Sequence, residues 1–216
     1  MKTAEICRKI EKSREHPEKK IDRENAMRVI TGSARGRRLK ELEGLETRPT
    51  TGKVKEAVFS ALQFEIEGRR VLDLFAGTGQ MGVECLSRGA AAAVFVDRRA
   101  DAVKTVRENL RLTGLQDRGR VAAGDALQFL GETRERFDIV FLDPPYRTGL
   151  LEAALAKAAE FDILNPHGII VAEHPADAVP PAPPGPYRTG RTYQYGRIGV
   201  TLFRRAGNEE KEPERP

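Results

Sequence analysis

Short apolar runs alternate with stretches of helical spacing from residue 70 to residue 172. Val71-Leu72-Asp73-Leu74-Phe75 has strand length, and Gln80 to Arg88 carries helical periodicity. Ala92 to Val96 is the next apolar run, followed by a helical stretch from Arg99 to Thr113. Arg120 to Ala123 and Ala126 to Leu130 repeat the pair in shorter form. Phe137 to Leu142 reads as a buried strand, Leu150 to Phe161 as an Ala-rich helix, and Gly168 to Ala172 as another strand. Apolar strands separated by helices predict an α/β fold, with a mostly parallel sheet covered on both faces.

The alternation then stops. Pro180-Pro181-Ala182-Pro183-Pro184-Gly185-Pro186 reads as a stiff linker. Tyr187 to Tyr195 and Arg197 to Arg205 are strand-like runs around Gly196, which predicts a C-terminal antiparallel hairpin. Upstream, residues 28–40 read as a short β element carrying Arg35, Arg37, Arg38 and Lys40. Thr50 or Thr51 is a candidate N-cap for an amphipathic helix to about Ile66, with Val54, Val58, Ala61 and Leu62 at helical spacing. The resulting division is a charged extension over 1–26, an N-terminal β/helix extension over 27–69, an α/β domain over 70–206 and a charged tail over 207–216. Met27 opens the compact part and is a candidate translation start.

Composition narrows this only slightly. The chain has 216 residues and a formal net charge of +5. Residues 1–26 carry eight bases and six acids, and residues 207–216 two bases and four acids, so their +2 and −2 cancel and the core keeps +5. A small basic excess is compatible with a polyanionic partner. No run approaches a membrane span, and no secretory signal pattern is present. Cys7 and Cys85 are far apart in helix-like contexts, which points to a reducing, cytoplasmic compartment. Two cysteines and three histidines show no metal-ligand spacing, so no metal is expected.

The first strand runs into Gly77-Thr78-Gly79-Gln80-Met81-Gly82, and Asp97 ends the next strand 18 residues after Gly79. A Gly-x-Gly-x-x-Gly turn from strand to helix, followed by an acidic residue, is a nucleotide-binding arrangement. The glycines allow close backbone approach, and the carboxylate can hold two ribose hydroxyls. Asp73, four residues before Gly77, is a carboxylate inside the strand. It either meets a cationic group or caps local N–H groups. S-adenosylmethionine carries an ammonium and a sulfonium, whereas a nicotinamide dinucleotide carries a pyrophosphate. Asp125 ends the third strand, where it can accept from an adenine amine, cap the helix starting at Ala126, or both.

Asp143-Pro144-Pro145-Tyr146 follows the strand Phe137 to Leu142 directly. Open α/β sheets bind ligands at that edge. Two prolines stiffen the turn and donate no hydrogen bond, leaving their carbonyls as acceptors. A carboxylate, a free carbonyl and an aromatic ring together suit a planar base with an exocyclic amine.

In order, Arg48-Pro49-Thr50-Thr51, Asp73 to Gly79, Asp97, Asp125 and Asp143 to Tyr146 resemble class I S-adenosylmethionine-dependent methyltransferases with an amino-methylating Asp-Pro-Pro-Tyr loop. Within these, the chain resembles the RsmD-type 16S ribosomal RNA (guanine-N2)-methyltransferases over residues 27–205. Arg28-Val29-Ile30-Thr31-Gly32 and Arg48-Pro49-Thr50-Thr51 carry the narrower likeness. The resemblance implies a Rossmann-like fold and S-adenosylmethionine as cofactor. It implies a cofactor set of Thr50, Asp73, Phe75, Gly77, Thr78, Gly79, Asp97, Arg98, Asp125 and Ala126. Asp143, Pro144, Pro145 and Tyr146 become the catalytic loop. Two departures stand out: Gly52 where the family usually has an acid, and Asp97 where it often has Glu.

The expected substrate is ribosomal RNA or a small-subunit assembly particle, with Arg35, Arg37, Arg38, Lys40 and Arg48 on its phosphates and the protein acting as a monomer. Three other readings remain: an adenine-N6 methyltransferase on DNA or RNA, a non-catalytic RNA-binding relative of the fold and, most distantly, a nicotinamide oxidoreductase.

Overall fold

The computed structural model describes residues 27–42, 51–178, 180–183 and 185–205. The extension 1–26, the stretch Arg48-Pro49-Thr50, Pro184 and the tail 207–216 lie outside the described residues.

Seven strands form one sheet in the order β3-β2-β1-β4-β5-β7-β6. They are β1 (Arg70–Asp73), β2 (Ala92–Asp97), β3 (Gly119–Ala123), β4 (Phe137–Leu142), β5 (Leu164–Pro175), β6 (Tyr187–Tyr195) and β7 (Ile198–Arg205). The first five are mutually parallel. β7 runs antiparallel to β5, and β6 antiparallel to β7. The chain starts in the middle at β1, moves outward through β2 and β3, then returns to the other side of β1 as β4. That reversal opens a crevice at the C-terminal ends of β1 and β4.

Among the described residues five α-helices cover the two faces: α1 (Thr51–Ala61), α2 (Gln80–Ser87), α3 (Ala100–Thr113), α4 (Ala126–Glu132) and α5 (Leu150–Glu160). Strand alternation divides the apolar side chains. Val71, Ile139 and Phe141 pack with Phe59 of α1, Leu86 of α2 and Val106 of α3. Leu72, Val140 and Leu142 pack with Leu130 of α4 and Leu155 of α5. Both faces are therefore core, which is why these strands read as unbroken apolar runs. Among the described residues no helix is long and apolar enough to cross a membrane.

Two elements differ most in length from expectation. α1 ends at Ala61, and the expected remainder to Ile66 is turn, although Leu62 and Ile66 are still buried. β5 extends to Pro175 because β7 pairs with it as far as Ile198, three residues past its last partner on β4. The extension carries Glu173 beyond the end of β4.

Residues 27–42 fold as a small antiparallel hairpin closed by an Arg28–Arg38 bridge and by Leu39 N–H donating to Met27 O at 2.9 Å. α2 holds this hairpin. Fully buried Glu84 accepts from the Ile30 and Thr31 amides at 2.8 and 2.9 Å. It also pairs with Lys55 at 3.1 Å and Arg88 at 2.9 Å. Ser87 Oγ donates to Thr31 O at 2.6 Å and accepts from Ala34 N at 3.0 Å. Gly32 is required at the contact: its φ is +88°, and a Cβ there would lie 1.9 Å from Ser87 O.

Candidate active site

A cavity of about 490 Å³ occupies the crevice at the C-terminal ends of β1 and β4. Its floor is the glycine turn between β1 and α2. Gly77 and Gly79 both take positive φ, 52° and 75°, so the backbone turns within three residues. Gly77 and Thr78 line the cavity, whereas Gly79 does not. Gly79 sits against α3 instead, where a Cβ would come within 3.1 Å of Val106. Gly82 plays the same packing role, since its Cβ would meet the Phe95 ring at 2.3 Å. The glycines thus divide between the cavity wall and close helix packing.

Four carboxylates reach the cavity from separate strand ends: Asp73, Asp97, Asp125 and Asp143. Asp97 is fixed by main-chain bonds, accepting from Gly77 N at 2.8 Å and Arg99 N at 2.9 Å. Asp125 caps α4 through one oxygen, which accepts from Leu127 N and Gln128 N at 2.9 and 3.1 Å. Asp73 is buried and accepts from Gly82 N at 3.0 Å. Burial pushes its carboxyl up to about 7; the Gly82 amide opposes the shift and the Asp97 charge adds to it. Two carboxylates at the glycine turn suit a cationic ligand and oppose a pyrophosphate. S-adenosylmethionine, a cation with a ribose and an adenine, fits this donor set, and Asp73, Asp97, Asp125 and Ala126 are the residues that would hold it.

The opposite wall is the loop after β4. Asp143, Pro144, Pro145 and Tyr146 all line the cavity. Pro144 is buried, Asp143 and Pro145 are exposed, and Tyr146 is half-buried. The Tyr146 hydroxyl donates to Glu173 Oε1 at 2.7 Å, which fixes the ring. Glu173 lines both this cavity and a smaller one of about 200 Å³ beyond the proline turn.

The structure thus brings Asp73, Phe75, Gly77, Thr78, Asp97, Arg98, Asp125, Ala126 and the four loop residues onto one cavity. Thr50 and Arg48 are outside the described residues. Arg35, Arg37, Arg38 and Lys40 are exposed on the hairpin. Arg37 donates to Leu112 O at 3.2 Å, and Lys40 pairs with Glu108 at 2.8 Å. The hairpin adjoins the site, since Met27 and Leu42 line the cavity. Buried Asn109 ties the two together by bonding the Lys40 main chain and Thr78 O.

Sequence reasoning missed Lys55, Glu84, Asn109 and Glu173. Each is a polar residue inside an element whose apolar pattern drew the attention. For Glu84 a signal existed: an acid in the middle of a short apolar helix, four residues before Arg88.

The family model described as conserved hypothetical protein 95 matches residues 27–204. A protein of Escherichia coli strain K12, ribosomal RNA small subunit methyltransferase D, is 32% identical over 86% of this chain and 93% of its own length. The protein of the same name from Haemophilus influenzae is 36% identical over 74% of this chain and 86% of its own. The solved structure of yhhF from Escherichia coli has a TM-score of 0.76 at 33% identity, covering 83% of this chain and 98% of that one.

Proposed function

We propose that this chain, which belongs to the conserved hypothetical protein 95 family of RsmD-type, S-adenosylmethionine-dependent class I methyltransferases, methylates the exocyclic N2 of a guanine in small-subunit (16S) ribosomal RNA. One observation carries the reading. The loop Asp143 to Tyr146 faces the same cavity as Asp73, Gly77 and Asp97. An amine held by the loop therefore lies in the same space as a cofactor held by the glycine turn.

S-adenosylmethionine supplies an electrophilic methyl group on a sulfonium. The guanine amine is a poor nucleophile because its lone pair is delocalised into the ring. Asp143 and the Pro144 carbonyl accept its two N–H bonds and turn the lone pair toward the methyl group. Tyr146 stacks on the base, a contact typically worth about 1–3 kcal/mol. Its hydroxyl bond to Glu173 holds the ring in place before the base arrives. The protein's main contribution is in-line positioning. After transfer the amine loses a proton, to Asp143 or to water.

Residues 27–69 are the RNA-contacting part in this reading, and 70–206 the methyltransferase domain. Glu84 and Asn109 connect the two, and Arg35 and Arg38, both exposed, are the proposed phosphate contacts. The protein acts as a monomer in the cytoplasm on ribosomal RNA or on an assembling particle.

The test is labelled methyl transfer to small-subunit RNA and to particles lacking the modification, followed by nucleoside analysis. N2-methylguanosine is the expected product. N6-methyladenosine would transfer the chemistry to adenine. Cofactor binding without transfer to any RNA would identify a non-catalytic relative.

A further inference from the structure

We propose that Glu173 selects guanine: its carboxylate accepts the N1–H of the target base, next to the amine held by Asp143 and Pro144. The proposal rests on the guanine-N2 reading above and supplies what the Asp-Pro-Pro-Tyr loop lacks, a group that distinguishes one amine-bearing base from another.

The placement follows from strand register. Leu142, the last residue of β4, pairs with Ala172 of β5, so Asp143 opens the loop beside Glu173, which is still in β5. Side chains alternate along a strand. Within β5 Glu173 shares the face of Val171, and Phe141, Asp143, Val171 and Glu173 all line the large cavity. Neighbouring strands lie about 4.8 Å apart. Two carboxylates at the end of such a pair can meet two adjacent donors on one base edge.

Glu173 is also tied to the ring that would stack on the base. Oε1 accepts the Tyr146 hydroxyl at 2.7 Å. A carboxylate has about four acceptor sites and can hold more than one donor at once. Its place at the hydroxyl end of Tyr146 puts the carboxylate at the margin of a stacked base. His174, the next residue, does not compete for this role. Its ring is buried and bonded to Thr201 Oγ1 and Pro175 O, both at 2.8 Å.

The chemistry then separates the bases. Guanine presents N1–H beside its N2 amine, so its edge is a row of donors. Adenine presents an unprotonated N1 beside N6, and cytosine an unprotonated N3 beside N4. A carboxylate next to the amine site gains a hydrogen bond from guanine and faces a lone pair on either alternative. Sites built around a donor reject analogues lacking it far more strongly than apolar pockets reject size differences.

The test uses small-subunit RNA in which 2,6-diaminopurine replaces the methylated guanine. That base keeps the N2 amine but has an acceptor at N1. Wild-type enzyme should prefer guanine in kcat/KM by on the order of 100-fold or more. Glu173→Gln should lose activity on guanine and gain on diaminopurine, because its amide can donate to N1. The preference should fall at least about tenfold. Tyr146→Phe removes the hydroxyl and keeps the carboxylate, so it should retain the wild-type preference. An unchanged preference in Glu173→Gln, or a preference lost equally in Tyr146→Phe, overturns the proposal and leaves Glu173 as a support for the ring. If Glu173→Gln fails to bind cofactor, the wild-type ratio decides alone: equal turnover of the two bases overturns selection. Absence of N2 methylation on guanine by the wild type would instead sink the guanine-N2 reading itself.

Discussion

Lys55 Nζ lies 3.1 Å from Glu84 Oε2, with Lys55 5% exposed and Glu84 fully buried. Burial holds the Lys55 ammonium below its ordinary range, against the pull of Glu84. Glu84 also holds Ile30 and Thr31, so one carboxylate joins α1, α2 and the N-terminal hairpin. Removing one partner of a buried pair leaves the other charge without compensation. Glu84→Ala should lower stability by about 3–5 kcal/mol, read from urea unfolding. The hairpin should also become protease-sensitive below the unfolding midpoint. A loss near that of an exposed ion pair would show that Glu84 does not carry this junction.

Asp73 makes the free protein's stability depend on pH. Its folded-state value is about 7, against 3.8 for the ordinary carboxyl. The folded chain therefore keeps a proton that the unfolded chain gives up between pH 4 and pH 7. The contribution is fully present below pH 4 and lost as pH rises through 7, by about 4 kcal/mol. Asp73→Asn keeps an acceptor for the Gly82 amide, so its stability should be flatter across that window. Denaturant titrations at pH 4, 5.5, 7 and 8 compare the two. Cofactor binding gives a second readout. A cationic ligand favours the ionised carboxylate, so wild-type Kd for S-adenosylmethionine should rise below pH 7 and that of Asp73→Asn should not. Parallel pH profiles would remove Asp73 from the cofactor site.

Asp143→Ala removes the carboxylate proposed to hold the amine and leaves the glycine turn untouched. Transfer should fall by about 10²–10⁴-fold, the range typical of a lost acid–base group. Cofactor affinity should change by less than about threefold, because the carboxylates on the cofactor side of the cavity in this reading, Asp73, Asp97 and Asp125, each keep a main-chain anchor. Single-turnover transfer and calorimetric titration measure the two effects separately. Wild-type turnover in the variant would reject the loop assignment.

Arg35 and Arg38 are exposed on the hairpin next to the cavity, whereas Lys40 already pairs with Glu108 at 2.8 Å. If the hairpin contacts RNA phosphates, replacing Arg35 and Arg38 by Gln should weaken binding. The slope of log K against log salt should flatten by about 1.4–1.8. Lys40→Gln should change the slope less, since part of its charge is already compensated within the protein. Filter binding over a salt series measures these slopes. An unchanged slope in the double variant would assign the hairpin to solvent.

The order of strands and helices was legible because strand and helix periods are local. The runs at Val71, Ala92, Phe137 and Gly168 needed no knowledge of their neighbours. The glycine turn and the Asp143 to Tyr146 loop were legible for a related reason: their chemistry is carried by adjacent residues. The lengths of α1 and β5 were not, because pairing and packing set them. β5 continues to Pro175 only because β7 returns beside it.

The sequence by itself determined the succession of strands and helices, the glycine turn and the Asp143 to Tyr146 loop, since each is a short pattern whose meaning lies in its own spacing. Only the tertiary structure decided how the loop is completed. Glu173 reads as one polar residue in an apolar strand, yet it meets Tyr146 from 27 positions away. Glu84 reads as an acid on a helix, yet it organises a hairpin more than 50 positions upstream. A polar side chain's partner across the fold leaves no periodic trace in the sequence. The contact exists because the burial of apolar neighbours on both sides brings the two together.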